Sequence, residues 1–77
     1  MTPKQLRKAT DKELVVAYKN KARCYYSERK AEAIYLEIYN RLGSDKVNGI
    51  RLGAWHMQNG EGDAEFNDEC DKLLNAL

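Results

Sequence analysis

Residues 11–42 read DKELVVAYKNKARCYYSERKAEAIYLEIYNRL and contain neither glycine nor proline. This unbroken stretch predicts a helix of 32 residues, which would be about 48 Å long. A compact chain of 77 residues is only about 30 Å across. The helix must therefore either project beyond the core or break, and Ser27 is the best interior N-cap for a break.

Local signals mark the ends of this stretch. Thr10 with Glu13 forms a capping-box pattern at its start, and Gly43 directly after it indicates a C-terminal stop. The same capping-box spacing at Thr2, followed by a proline, predicts a short N-terminal helix or arm within residues 1–9.

Two shorter helices are predicted in the C-terminal part. In residues 46–58 apolar side chains recur at helical spacing, with Ser44 as the N-cap. Two glycines weaken this helix, so a strand over 49–57 is the alternative. Residues 60–63 form a loop before the last helix. The predicted fold is all-α: a small helical bundle with a long central helix, about 11–42, and two shorter C-terminal helices.

A helical wheel divides the apolar residues of the long stretch into two faces. One face holds Leu14, Tyr18, Ala22, Tyr25, Ala33 and Leu36, and the other holds Ala31, Ile34, Tyr35, Ile38, Tyr39 and Leu42. After Ser27 the stretch is apolar almost all round, which predicts that its C-terminal half is the centre of the core.

The composition favours one small domain, residues 1–77, that acts through its surface. A chain of this length has room for one modest core, and it has no apolar run of the ~20 residues that cross a membrane. The N-terminus lacks an apolar signal region, so we expect a cytoplasmic protein with free thiols at Cys24 and Cys70. Neither cysteine lies in a nucleophile motif, and neither has metal-ligand spacing to His56. We therefore expect no enzymatic activity, metal or cofactor.

Charge is distributed unevenly along the chain. Residues 1–30 carry nine Lys and Arg against three Asp and Glu, a net charge of +6. Residues 61–77 carry one Lys against six acids, a net charge of −5, and the segment between them is neutral. Such asymmetry predicts either an interaction surface or two ends that neutralise each other within the fold.

A basic stripe is the strongest functional pattern in the sequence. On a continuous helix, the cations Lys12, Lys19, Arg23 and Lys30 fall within about 40° of each other. A stripe of this charge favours binding to phosphates or to an acidic protein face, and a solvated helix face is the plain alternative. The partner-binding residues that we predict are Arg7, Lys8, Lys12, Lys19, Arg23, Tyr26, Lys30, Arg51 and Trp55.

Trp55 is the only tryptophan. Core anchoring is the ordinary role of such a residue, and an interface hot spot shared with Arg51 is the functional one. A helix-turn-helix is a further alternative, in which the readers of base edges are Arg51, His56, Gln58 and Asn59. Its second helix has two glycines and little positive charge, which count against it.

These observations favour a small non-enzymatic regulator that binds a larger enzyme or complex through a basic helical face. Small chains without enzymatic motifs are common among phage factors that take over host transcription or nucleic-acid machinery. We expect a protein partner with an acidic surface, no membrane and no small-molecule substrate. Direct nucleic-acid binding through the same face is the alternative, and the total charge of only +1 argues against it.

Overall fold

Five helices and no strand make up the described part of the chain. The computed structural model describes residues 2–25 and 29–77, and it includes the side chains of residues 2–22 and 31–77. The helices are α1 (Pro3–Lys8), α2 (Asp11–Tyr25), α3 (Arg29–Leu42), α4 (Ser44–Gln58) and α5 (Ala64–Ala76). The prediction of a small all-α bundle is confirmed.

The stretch predicted as one long helix forms two helices, α2 and α3, which pack against each other. The rings of Tyr18 in α2 and Tyr35 in α3 have their centroids 5.6 Å apart. The longest dimension of the molecule is 33 Å, too short for about 48 Å of continuous helix. Of the two alternatives, the chain therefore breaks rather than projects. Ser27, the predicted N-cap at the break, lies outside the described residues.

Both predicted capping boxes are confirmed. The Thr2 hydroxyl accepts the N–H of Gln5 at 3.2 Å, and the Gln5 side chain accepts the N–H of Thr2 at 2.8 Å. Thr10 and Glu13 make the equivalent pair of bonds at 3.1 and 3.0 Å. These bonds satisfy N–H groups that a helix start leaves without intrahelical partners, so α1 and α2 begin where the sequence predicts.

The segment after Gly43 is a helix, so the strand alternative over 49–57 is wrong. Gly43 has a φ of +86°, a conformation that glycine adopts without strain. It is also the N-cap of α4, so the prediction of Ser44 as the cap is wrong by one residue. Gly53 lies directly on α5, because a Cβ at this position would be 3.0 Å from the Cα of Phe66. The glycine weakens α4 as an isolated helix and permits its close packing on α5.

The core takes side chains from all five helices. Its buried members are Leu6, Leu14, Val15, Tyr18, Ala22, Ala31, Ile34, Tyr35, Ile38, Val47, Ile50, Ala54, Phe66, Cys70 and Leu73. The stretch after Ser27 contributes to the core, but it is not buried on all sides as its almost all-round apolar pattern predicts. Leu36 and Tyr39 on α3 are half-exposed, because α3 packs as an amphipathic helix with one buried face.

Candidate docking site

The N-terminal end of the fold presents a group of exposed cations. They are Lys4, Arg7 and Lys8 on α1 and Lys12 in the first turn of α2, and we call this set the cationic corner. None of the four forms an ion pair with another residue in the ranges that the structure describes. Their charge is therefore available to an outside partner.

Arg41 on α3 fixes the cationic corner to the bundle. Its Nη1 donates to the carbonyl of Ala9 at 2.6 Å, and its Nη2 donates to the carbonyls of Leu6 and Arg7 at 2.9 and 3.1 Å. The end of α1 has no glycine cap, so its last carbonyls need donors from another element. We call these bonds of Arg41 the clamp. The absence of a glycine after α1 was the only sequence signal for the clamp, because the sequence indicates Arg41 only as a cation in the last turn of α3.

Two acids beside the cationic corner are engaged within the fold. Asp11 accepts a hydrogen bond from Arg41 Nη1 at 3.3 Å. Glu13 Oε1 accepts the backbone N–H of Thr10 at 3.0 Å. That backbone bond, followed by the bond to the Thr10 side chain, holds the pKa of Glu13 below its ordinary value. Neither carboxylate is paired with a member of the cationic corner, which keeps its positive charge.

The basic stripe predicted along one continuous helix is divided between two helices. Lys12 and Lys19 lie on α2, whereas Lys30 lies on α3, a separate helix. Lys19 Nζ is 3.0 Å from Asp71 Oδ1 on α5. The basic N-terminal and acidic C-terminal segments therefore neutralise each other at this pair. The predicted side chains of Arg23, Tyr26 and Lys30 lie outside those that the structure describes.

Arg51 is tied to α3. Its Nη1 lies 2.7 Å from Glu32 Oε2, and its guanidinium carbon lies 4.6 Å from the centroid of the Tyr35 ring. The ion pair and the stacking geometry together hold the guanidinium at the boundary between α3 and α4. Arg51 therefore supports the structure around the predicted contact surface and is not a free cation on it.

Trp55 is on the surface, so core anchoring is not its role. Its side chain is 53% exposed, and that of Leu52, one turn earlier on α4, is 50% exposed. We call these two residues the α4 apolar pair. The sequence did not single out Leu52, because spacing alone does not show whether an apolar residue of a helix is buried or exposed. A half-exposed tryptophan on a helix is a common anchor in protein interfaces.

The cationic corner, on α1 and α2, lies near the start of α4, and the α4 apolar pair lies towards the end of that helix. Arg41, which holds the corner, precedes the start of α4 at Ser44 by three residues. Trp55 follows Ser44 by eleven residues, which places it about 17 Å further along the helix axis. Among the described side chains, the cationic corner and the α4 apolar pair are therefore two separate surfaces.

The side chains proposed as readers of base edges have partners inside the protein. His56 Nδ1 is 2.7 Å from Glu65 Oε2, and Asn59 Nδ2 donates to the Trp55 carbonyl at 2.8 Å. The hydrogen bond to Glu65 is the main reason why the pKa of His56 is raised from its ordinary value. With Arg51 also engaged, three of the four proposed readers are committed to internal bonds.

Cys70 is a fully buried free thiol in α5. Burial raises its pKa to about 12, so the thiol is protonated at neutral pH and is a poor nucleophile. The Cys24 side chain lies outside the described set.

Two further observations concern metals and membranes. In the part of the chain that the structure describes, no three His, Cys, Asp or Glu side chains are grouped so that they could hold a metal ion. Over the same residues, every helix is too short or too polar to cross a bilayer.

Comparison of the chain with protein-family models, with curated proteins and with solved structures finds no match. Function must therefore be inferred from the surfaces of this chain alone.

Proposed function

We propose that this chain is a small non-enzymatic regulator that docks on a larger protein or complex through the cationic corner and changes its activity. The observation that carries the proposal is the group of four exposed cations, which form no ion pair within the described part of the chain and whose helix α1 is held by Arg41. A fixed group of like charges steers association and selects a partner of opposite charge. The α4 apolar pair provides a second contact at the far end of the molecule.

The partner in this proposal is a protein with an acidic surface. Enzymes and complexes that handle nucleic acids, including transcription machinery, are the class we favour, and inhibition by a phage-type factor is one form that such regulation takes. A cytoplasmic location belongs to the same proposal.

Direct nucleic-acid binding is the competing function, since the same four cations would also attract phosphates. The internal bonds of Arg51, His56 and Asn59 engage three of the four side chains proposed to read base edges. We therefore favour the protein partner.

Charge reversal at the cationic corner tests the proposal. Binding of fluorescently labelled poly-glutamate and of duplex DNA is measured by anisotropy at low and moderate salt. In Lys8→Glu/Lys12→Glu, we expect poly-glutamate affinity to fall at least tenfold, because two of the four cations become repulsive. Circular dichroism checks that the variant remains helical.

The matched control is Lys46→Glu/Lys72→Glu. It changes the charge by the same amount, at a different groove, which these two lysines line with Glu69. We expect its affinity for poly-glutamate to stay within about threefold of the parent. Equal losses in both variants, or no binding of poly-glutamate at low salt, would overturn the proposal. Tighter binding of DNA than of poly-glutamate, dependent on Lys8 and Lys12, would establish the nucleic-acid alternative instead.

A further inference from the structure

An apolar groove adjoins the cationic corner along α2. It is shallow and open, with a volume of about 380 Å³, and it is lined by Lys12, Glu13, Val16 and Ala17. Val16 is 44% exposed. A branched apolar side chain that stays half-exposed in a core-forming helix leaves surface that a partner is able to cover.

The groove and the cationic corner share Lys12. Lys12 and Val16 are four residues apart on α2, so they lie on the same face of the helix. The carboxylate of Glu13 is turned back to the N–H of Thr10, at 3.0 Å. The face therefore offers positive charge at one end and an apolar side chain one turn further along.

We propose that the occupant of this groove is an acidic amphipathic segment of the partner protein. Its carboxylates face Lys8 and Lys12, and one of its apolar side chains covers Val16. The inference rests on the proposed function and refines it, because an acidic surface alone would satisfy the lysines and leave Val16 exposed. Helix-in-groove recognition uses the same combination of apolar anchor and flanking charge.

Two other occupants fit the groove less well. A nucleic-acid backbone supplies phosphates for the lysines but no apolar side chain for Val16. A second copy of this chain offers the acidic helix α5, but that helix buries Phe66, Cys70 and Leu73 in its own core. Leu74 is partly buried there as well, and Leu77, directly after the helix, is 36% exposed. A partner segment with an unburied apolar side chain meets both requirements.

Three synthetic peptides of equal length separate the charge from the apolar contact. The first is an acidic helix-forming peptide with leucines at helical spacing, the second replaces each leucine with asparagine, and the third replaces each glutamate with glutamine. Binding is measured by isothermal titration calorimetry. We expect the first peptide to bind about tenfold more tightly than the second, since covering one apolar side chain is worth about one factor of ten. The third peptide should also bind more weakly than the first, because it lacks the carboxylates that Lys8 and Lys12 attract.

Two variants assign the effect to the groove. Val16→Ser should bring the first peptide down to the affinity of the second and leave the second unchanged. Leu36→Ser, a matched change at a half-exposed leucine on α3, should alter neither. Circular dichroism confirms that both variants are folded.

The outcomes distinguish the two proposals. If the first two peptides bind equally, or if Val16→Ser weakens them equally, the apolar anchor is wrong and the acidic partner stands. If neither acidic peptide binds at low salt, both proposals fail.

Discussion

Helix α1 and helix α4 are attached to the bundle by different kinds of contact. A single guanidinium, that of Arg41, holds the last carbonyls of α1. By contrast, α4 approaches α5 so closely at Gly53 that a Cβ would lie 3.0 Å from the Cα of Phe66. The contact of α1 depends on hydrogen bonds from the Arg41 side chain. The contact of α4 depends on Gly53 having no side chain.

The difference follows from how much each helix is able to bury. α1 has six residues and buries one of them, Leu6, so apolar packing alone holds it weakly. α4 buries Val47, Ile50, Gly53 and Ala54 and needs no polar clamp. The short helix α1 is therefore anchored through its backbone carbonyls, and its cationic side chains stay exposed.

The largest expected effect comes from filling the close contact of α4 with α5. In Gly53→Val, the new methyl groups meet the backbone of Phe66, which is unable to move aside without shifting α5. We expect a loss of about 3 kcal/mol in the free energy of unfolding, measured by urea denaturation. Gly49→Val is the control, because the atoms facing Gly49 belong to the flexible Glu69 side chain. A loss as large at Gly49 would contradict the assigned role of Gly53.

Replacing the planar guanidinium of Arg41 should lower the free energy of unfolding by less, and its effect should be confined to the region of α1. Arg41→Lys keeps the charge but loses the geometry that serves three carbonyls at once. We expect a loss of about 2 kcal/mol, together with faster hydrogen exchange at the amides of Leu6 and Ala9. Lys72→Ala, which removes an exposed ion pair with Asp68, should change neither quantity by a comparable amount. Unchanged exchange in Arg41→Lys would show that α1 does not depend on the clamp.

The smallest effect is a pH dependence at the other end of α4. Because Glu65 raises the pKa of His56 above its ordinary value of 6.5, the stabilisation is fully present below about pH 6.5. It is lost as the pH rises through the higher pKa of the folded state. NMR titration of the imidazole should show a midpoint that falls in Glu65→Gln and stays in Glu69→Gln. Equal midpoints in all three proteins would remove Glu65 as the cause.

Most of the fold could be predicted because its signals are local. The capping boxes of Thr2 and Thr10 and the stop at Gly43 each depend on residues within a few positions of each other. The break between α2 and α3 could be offered only as an alternative. Without glycine or proline there, Ser27 is the one local signal for a break, and the packing of α2 on α3 decides the outcome.

The candidate site was harder to predict because its charges have distant partners. Lys19 pairs with Asp71, 52 residues away, and Arg41 reaches carbonyls more than 30 residues before it. A helical wheel records neither contact, so it kept Lys19 in the basic stripe and assigned Arg41 no part in it. The exposure of Trp55 likewise depends on which face α4 turns towards α3 and α5, and this orientation is set by tertiary packing.

The distance in sequence between α1 and Arg41 has a consequence for synthesis of the chain. The N-terminal segment leaves the ribosome first, and a helix of six residues is not stable by itself in water. Its clamp arrives 32 residues after Ala9. A nascent chain that stops before residue 41 therefore carries all four cations of the corner without their fixed arrangement. The cationic corner gains its fixed arrangement only after residue 41 has been translated.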